Sequence, residues 1–205
     1  ILDLLPAREF LSLHANERPE SKIKHFENAL VCPGLMNLHT HLDYTALKHF
    51  DNYSNFFKWI RSLIASSWQW TGDQWLESAM LGARELISCG NSFVADASYS
   101  GAAARAVARS GLRGIVGLEL FGIDENESGR VFAEWLSKYD EFLATADPEL
   151  KEAMASKRLR ITIAPHTPYS VCPSLIERAL AWSKEKKLPL LIHISESEAE
   201  CRWIK

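Results

Sequence analysis

The chain has 205 residues, 47% hydrophobic and 24% charged, with a formal net charge of −3. That is enough apolar material for one globular domain or most of one, and its mildly acidic balance leaves no electrostatic footprint for nucleic acid or an anionic membrane surface. No apolar run approaches the ~20 residues of a membrane helix and no basic-then-apolar leader opens the chain; four scattered cysteines without a C-x-x-C pair argue against a disulfide framework or a structural zinc knuckle, so a reducing cytoplasm is the expected compartment.

The first predicted strand is Ala29–Val31 continued through Leu35–His41. A long aromatic segment, Tyr44–Trp75, follows, with Phe56, Trp59, Ile60, Leu63 and Ile64 at helical spacing. It reads either as a helix packed against the body of the fold or as a lid whose aromatics stack on a planar ring. A helix over Gln74–Ser88 follows a Thr71-x-x-Gln74 capping pattern and stops at Gly90. Then come strand Asn91–Asp96, an Ala-rich helix Ala102–Ser110 halted by Gly111, and strand Gly114–Phe121. Helix Arg130–Leu143 carries Val131, Phe132, Trp135, Leu136 and Tyr139 at helical spacing. Strand Leu159–Pro165 precedes a helix Leu175–Lys186 opened by the box Ser174-x-x-Glu177. A fifth strand spans Pro189–Ile194, and Ser197-x-x-Glu200 caps a last helix. Each strand is a short apolar run without polar alternation, as in parallel strands buried on both faces.

Strand–helix alternation implies a parallel sheet, either open and doubly wound or closed into a barrel. An open sheet usually advertises a Gly-rich phosphate turn after its first strand, and this chain has none. A barrel collects its chemistry at the carboxyl ends of several strands, and polar residues collect there: His39, His41 and Asp43, then Asp96, Glu119, His166, His193 and Glu196. The expected class is α/β, a TIM-type (β/α) barrel of eight strands with about five units present. Such barrels typically run ~250 residues or more, so the chain reads as the N-terminal portion of a larger enzyme.

His39 and His41 share a face, because alternate strand residues point the same way. Two imidazoles there make a bidentate grip for a borderline ion such as zinc or iron; alternatively they are strand-end histidines with ordinary hydrogen bonds. In a barrel, His193 faces the same mouth, and three imidazoles leave room for water and a further ligand, where a metal lowers the pKa of water towards neutrality. Glu196, three residues on, is placed to shuttle a proton, or else caps a helix in a glutamate-rich turn. His166 sits between Pro165 and Pro168, which suits a rigid substrate-contacting loop; a ligand or structural role is the alternative. Glu119 is a weaker substrate-contact candidate, and Asp96 carries no assigned role. The fourth strand ends without the lysine that bridges two metals in many barrel hydrolases, so one metal ion is expected.

The run Pro33-Gly34-Leu35-Met36-Asn37-Leu38-His39-Thr40-His41-Leu42-Asp43, with Ala164-Pro165-His166-Thr167-Pro168-Tyr169-Ser170 and His193-Ile194-Ser195-Glu196, resembles the signatures of the amidohydrolase superfamily in its aminohydrolase and chlorohydrolase branch. The resemblance covers roughly residues 29–200. It implies metal ligation by His39, His41 and His193, with zinc as the ion and iron as the alternative. It implies substrate contact by His166 and proton transfer by Glu196. It makes residues 1–28 the remnant of a small β-sandwich and residues 29–205 the N-terminal part of the barrel. The stretch Asn55-Phe56-Phe57-Lys58-Trp59-Ile60 is similar to one in aminodeoxyfutalosine deaminases. Family members carry a further His on strand six and an Asp on strand eight, positions absent from this chain, and pairing into homodimers is a family-level expectation.

The leading functional expectation is hydrolytic replacement of an amino group on a purine- or pyrimidine-like ring. Within the same fold the alternative is hydrolysis of a carbon–halogen or other carbon–nitrogen bond on a small heterocycle. Outside it, the alternative is a fragment or binding module that lacks half the site. A cytidine-deaminase-type zinc enzyme needs H-x-E followed by P-C-x-x-C, and the chain has neither.

Overall fold

In the computed structural model the described residues are Glu9, Ser12, 26–47 and 55–204. The chain divides into two units, Ile1–Pro33 and Gly34–Lys205. In the first, the Ser12 hydroxyl donates to the Glu9 carbonyl at 2.8 Å, and residues 26–33 form a turn and then chain without regular secondary structure. The sandwich remnant expected over 1–28 falls almost entirely outside the described residues. The extension of the first strand over Ala29–Val31 does not form: Leu30 is 90% exposed. Pro33 donates no amide hydrogen, so a ladder cannot run through it.

The second unit carries four strands, β1 (Leu35–Thr40), β2 (Asn91–Ser98), β3 (Arg113–Leu120) and β4 (Leu159–Pro165). They are parallel and lie in chain order. Helices fill the crossovers: α1 (Phe56–Ser67), α2 (Gly72–Ser88), α3 (Ala102–Ser110), α4 (Ser128–Ala144), α5 (Pro148–Ala155), α6 (Pro173–Lys186) and α7 (Glu198–Ile204). Parallel neighbours joined by helices are the repeating unit of a (β/α) barrel, here incomplete.

Local chemistry explains the boundaries. The Thr71–Gln74 capping box forms as expected at the start of α2. Helix α3 has no side-chain cap of its own, since Gly101 occupies the N-cap with φ 79°. Its first amides are taken instead by Ser100 Oγ and by Asp43 Oδ1, at 3.1 and 3.0 Å. At its other end the Arg158 guanidinium donates to the carbonyls of Val107, Ala108 and Leu112. The alanines of α3 are almost wholly buried, and their small size lets the helix approach the sheet closely.

Two hydrophobic clusters cover the outside of the sheet. One joins Trp75, Ala79 and Ala83 of α2 to α3, Val94, Val116, Leu150 and Ile161. The other joins Trp135 of α4 and Leu175, Ala179 and Trp182 of α6 to Leu120 and Ile163.

Three expectations are corrected. The segment Pro189–Ile194 runs beside β4 without forming a regular strand. Pro189 has no donor, its carbonyl is taken by the Thr162 hydroxyl, and the backbone contacts to the β4 region are Leu191 N to Ile163 O at 3.4 Å and His193 N to His166 O at 2.9 Å. The box Ser174-x-x-Glu177 does not form, because Pro173 occupies the first turn and moves the N-cap back to Cys172. Burial on both faces fails at β1, where Leu35, Met36 and Leu38 are more than half exposed. Helix α5 was not anticipated, although Asp147 followed by Pro148 is a start signal, and Asp147 Oδ1 accepts from the Leu150 amide at 2.9 Å.

Gly117 shows how tight the inner side of the sheet is. A Cβ there would lie 2.7 Å from Ala164 Cβ and 3.1 Å from Leu191 Cδ1. Gly117→Val is therefore expected to destabilise the protein by about 1–3 kcal/mol through overpacking. Thermal unfolding checks this, and an unchanged melting temperature is the contrary result.

Candidate metal centre

β1 delivers His39 and, one residue beyond its end, His41. The run beside β4 delivers His193. The three rings meet: centroid separations are 5.1 Å for His39–His41, 4.9 Å for His39–His193 and 5.0 Å for His41–His193. One potential ligand atom from each lies within 4.8 Å of the others.

Hydrogen bonds fix which nitrogen faces inward. His41 Nδ1 lies 2.9 Å from the Ala97 carbonyl at the end of β2. His193 Nδ1 lies 2.8 Å from the His166 carbonyl, which also accepts the His193 amide. A carbonyl only accepts, so both Nδ1 atoms carry the proton and both Nε2 atoms present lone pairs in the neutral rings. Those Nε2 atoms are 3.0 Å apart. Two bare lone pairs at that distance repel, whereas a cation between them satisfies both. Zinc binds imidazole nitrogen at about 2.0–2.1 Å, so the spacing suits one shared ion. A second-sphere carbonyl on each Nδ1 is the usual companion of ligating histidine. The donor set present therefore fits a borderline divalent metal.

The pKa values point the same way. Burial, and the neighbouring His193 and His39, lower His41 to about 4. Burial and His193 lower His166 to about 4. His39 is lowered too, chiefly by burial. These three imidazoles are neutral near pH 7 and free of a competing proton.

The other candidates surround this cluster. Glu119, His166 and His193 also place one ligand atom each within 4.8 Å of one another. The Glu119 carboxyl is pushed up to about 8 by burial, then by the charges of Asp43 and Glu196. His166 Nδ1 meets Ser170 Oγ at 2.8 Å, and its ring stacks obliquely on Phe121 at 4.7 Å. Glu196 stands exposed beyond His193, and its Oε2 accepts from the Tyr169 hydroxyl at 2.9 Å. Within the aromatic segment, α1 forms and Phe57 meets the Tyr169 ring edge-on at 6.1 Å; residues 48–54 of that segment lie outside the described residues.

Two buried acids prove to be scaffolding. Asp96 Oδ2 accepts from Thr40 Oγ1 at 2.7 Å and from the Leu42 amide at 2.8 Å, gripping the residues on either side of His41. Its Oδ1 is buried without a partner, and burial pushes its pKa well above the ordinary carboxyl value. Asp43 accepts from Ser98 Oγ, from the amide and hydroxyl of Ser100, and from the Ala103 amide. It ties the chain after β1 to the loop after β2. Sequence reasoning assigned neither role. Tyr169 was also missed; it lay inside a quoted motif, but only the fold brings its hydroxyl to Glu196.

The likenesses to known proteins agree with this architecture. Residues 30–205 match the Amidohydrolase family, and the chain belongs to that family. A 5′-deoxyadenosine deaminase from Methanothermobacter thermautotrophicus is 30% identical over 175 residues, which is 83% of this chain and 39% of that protein. The chain thus spans about two fifths of that relative's length. In fold it resembles aminofutalosine deaminase from Helicobacter pylori, solved in complex with methylthio-coformycin (TM-score 0.66, 21% identity, covering 84% of this chain and 40% of that one). It also resembles atrazine chlorohydrolase TrzN from Arthrobacter aurescens TC1, solved with zinc (TM-score 0.64, 20% identity, covering 80% and 41%).

Glu119 yields a pH test. The folded state keeps its proton up to about pH 8, whereas the unfolded chain loses it near 4.5. Its contribution is thus fully present below the unfolded value and is lost as pH rises through the folded one. Glu119→Gln stays neutral throughout. Its stability relative to the parent should grow between pH 5 and 8 and then level off, by up to a few kcal/mol at about 1.4 kcal/mol per unit. Urea unfolding at several pH values measures this; a pH-independent difference contradicts it.

Proposed function

We propose that the protein is a metal-dependent hydrolytic deaminase of an amino-substituted purine-like ring, with His39, His41 and His193 as the ligands of one divalent ion. The observation that carries this reading is the pair of inward-facing Nε2 atoms, 3.0 Å apart, each with its Nδ1 engaged by a backbone carbonyl. The deaminase name of the curated relative and the coformycin ligand of the Helicobacter pylori enzyme support the ring chemistry. The zinc in the chlorohydrolase structure supports zinc over iron. Residues Asn55–Ile60, similar to a stretch in aminodeoxyfutalosine deaminases, favour an adenine nucleoside among such rings.

When bound, such an ion supplies Lewis acidity that brings the pKa of water to about 7. The chain's own residues do the rest. Glu196, at the rim beyond His193, takes one proton from water and delivers it to a ring nitrogen as the water oxygen adds to the ring carbon. It then passes a second proton, from the hydroxyl left on that carbon, to the amino group, which departs as ammonia as the carbon–nitrogen bond breaks. Glu119, protonated near pH 7, donates a hydrogen bond to an unprotonated ring nitrogen. His166, neutral and steadied by Ser170, orients the ring, and Phe121 beside it offers an aromatic face to a planar substrate. The four cysteines are free thiols, which supports a reducing, cytoplasmic setting.

In the full-length protein, His39→Ala or His193→Ala should each lower zinc content and reduce ammonia release more than about a hundredfold over a panel of adenine nucleosides, aminopterins and aminotriazines. Metal analysis and an ammonia assay read both effects; full activity after chelation in either variant contradicts the reading. Glu196→Gln should keep its metal and lose about 10²–10⁴-fold in kcat. Turnover at the parent rate removes Glu196 from the mechanism.

A further inference from the structure

Glu196 is attached to the fold at two points. Its backbone is held by Glu200, a side chain only 1% exposed, which accepts from the Ser195 amide at 3.1 Å and from the Glu196 amide at 2.8 Å. Ser195 lies in the left-handed region at φ 60°, a conformation that turns the chain sharply just after His193. The Glu196 side chain, by contrast, is exposed. Among the described residues its hydrogen-bond partner is the Tyr169 hydroxyl, at 2.9 Å.

Tyr169 is well placed to impose a direction. It sits in the tight turn after β4, where the Ser170 and Val171 amides donate to the Thr167 carbonyl at 3.1 and 3.0 Å. Thr167 itself is fully buried, and its hydroxyl meets Ser170 Oγ at 2.8 Å. That Ser170 Oγ also holds His166, whose carbonyl holds the His193 ring. Phe57 of α1 and the His166 ring each lie edge-on to the Tyr169 ring, with centroids 6.1 Å away. One short loop therefore fixes the ring of His193 through a carbonyl and reaches the carboxylate of Glu196 through a phenol.

We propose that Tyr169 is a positioning residue whose hydroxyl, by donating to Glu196 Oε2, holds the other carboxylate oxygen in the orientation from which it exchanges protons with water and substrate. The inference rests on the reading of Glu196 as the proton carrier. A phenol–carboxylate bond is charge-assisted and hence directional. A freely rotating exposed glutamate would spend most of its time in unproductive rotamers, and small misplacements of a reacting group carry large rate penalties. Tyr169 touches neither the metal ligands' inward nitrogens nor, in this assignment, the substrate.

The test uses the zinc-loaded full-length enzyme and four proteins: the parent, Tyr169→Phe, Glu196→Gln and the double variant. Tyr169→Phe keeps the ring and its packing and removes only the hydroxyl. Expected are a fall in kcat of about tenfold or more, a KM within twofold of the parent and unchanged zinc content. In the Glu196→Gln background the same change should have no further effect on kcat. Crystal structures of the parent and of Tyr169→Phe give a readout independent of turnover: the Glu196 carboxylate should leave its single position when the hydroxyl is removed. A kcat within twofold of the parent, an equal loss in the Glu196→Gln background, a rise in KM at constant kcat, or an unmoved carboxylate overturns the assignment. The two readings fail differently. Parent-like turnover in Glu196→Gln removes the proton-carrier role and this one with it, whereas an inactive Glu196→Gln beside a parent-like Tyr169→Phe removes only the role of Tyr169.

Discussion

Two backbone carbonyls govern the site. Ala97 O, at the end of β2, and His166 O, just past β4, each capture the Nδ1 proton of an imidazole that belongs to another segment. Each bond settles a tautomer and a ring direction together. The consequence is a pair of Nε2 atoms facing each other at 3.0 Å, an arrangement that a shared metal ion satisfies. Because the carbonyls belong to the parallel sheet and its first loop residues, the direction of the imidazoles depends on strand order and register. A sheet with the same strands in another order would carry the same histidines and no site.

The electrostatics around this centre are economical. Burial pushes the imidazoles of His39, His41 and His166 down and the carboxyls of Glu119, Asp43 and Asp96 up, with repulsion from neighbouring carboxylates adding to the rise at Glu119 and Asp96. His41 and His166, lowered to about 4, are therefore neutral at pH 7, and Glu119, raised to about 8, keeps its proton there, which lessens the desolvation penalty in a crowded strand-end mouth. Asp43 and Asp96 convert their burial into hydrogen bonds that clamp the residues around His41. Glu196 remains exposed at the solvent edge.

Much of this was legible in the residues. The alternation of short apolar runs with capped helices implied a parallel, barrel-type sheet, and the parallel strands and likenesses of fold bear that out. His39 near the end of β1 and His41 one residue beyond it were readable as a shared face because side-chain direction in a strand alternates with every residue. The failures are specific. A strand over Pro189–Ile194 was inferred from apolar character, but a ladder needs donors and Pro189 supplies none. The Ser174–Glu177 box had suitable residues, but a neighbouring proline competed for the first turn and won. Helix α5, only eight residues long, is too short for a hydrophobic period to show, and its Asp147–Pro148 start was overlooked.

The sequence by itself determined which chemical groups were available and where along each strand they would sit, because local periodicity, capping chemistry and strand alternation are properties of neighbouring residues. Only the tertiary structure decided that His193 would meet His41 across 152 positions of chain, that Asp96 would brace the residues flanking His41, and that Tyr169 would reach Glu196. Those contacts depend on the order and register in which distant strands pair. Such pairing arises from the packing of the whole sheet against its helices, and no window of adjacent residues encodes it.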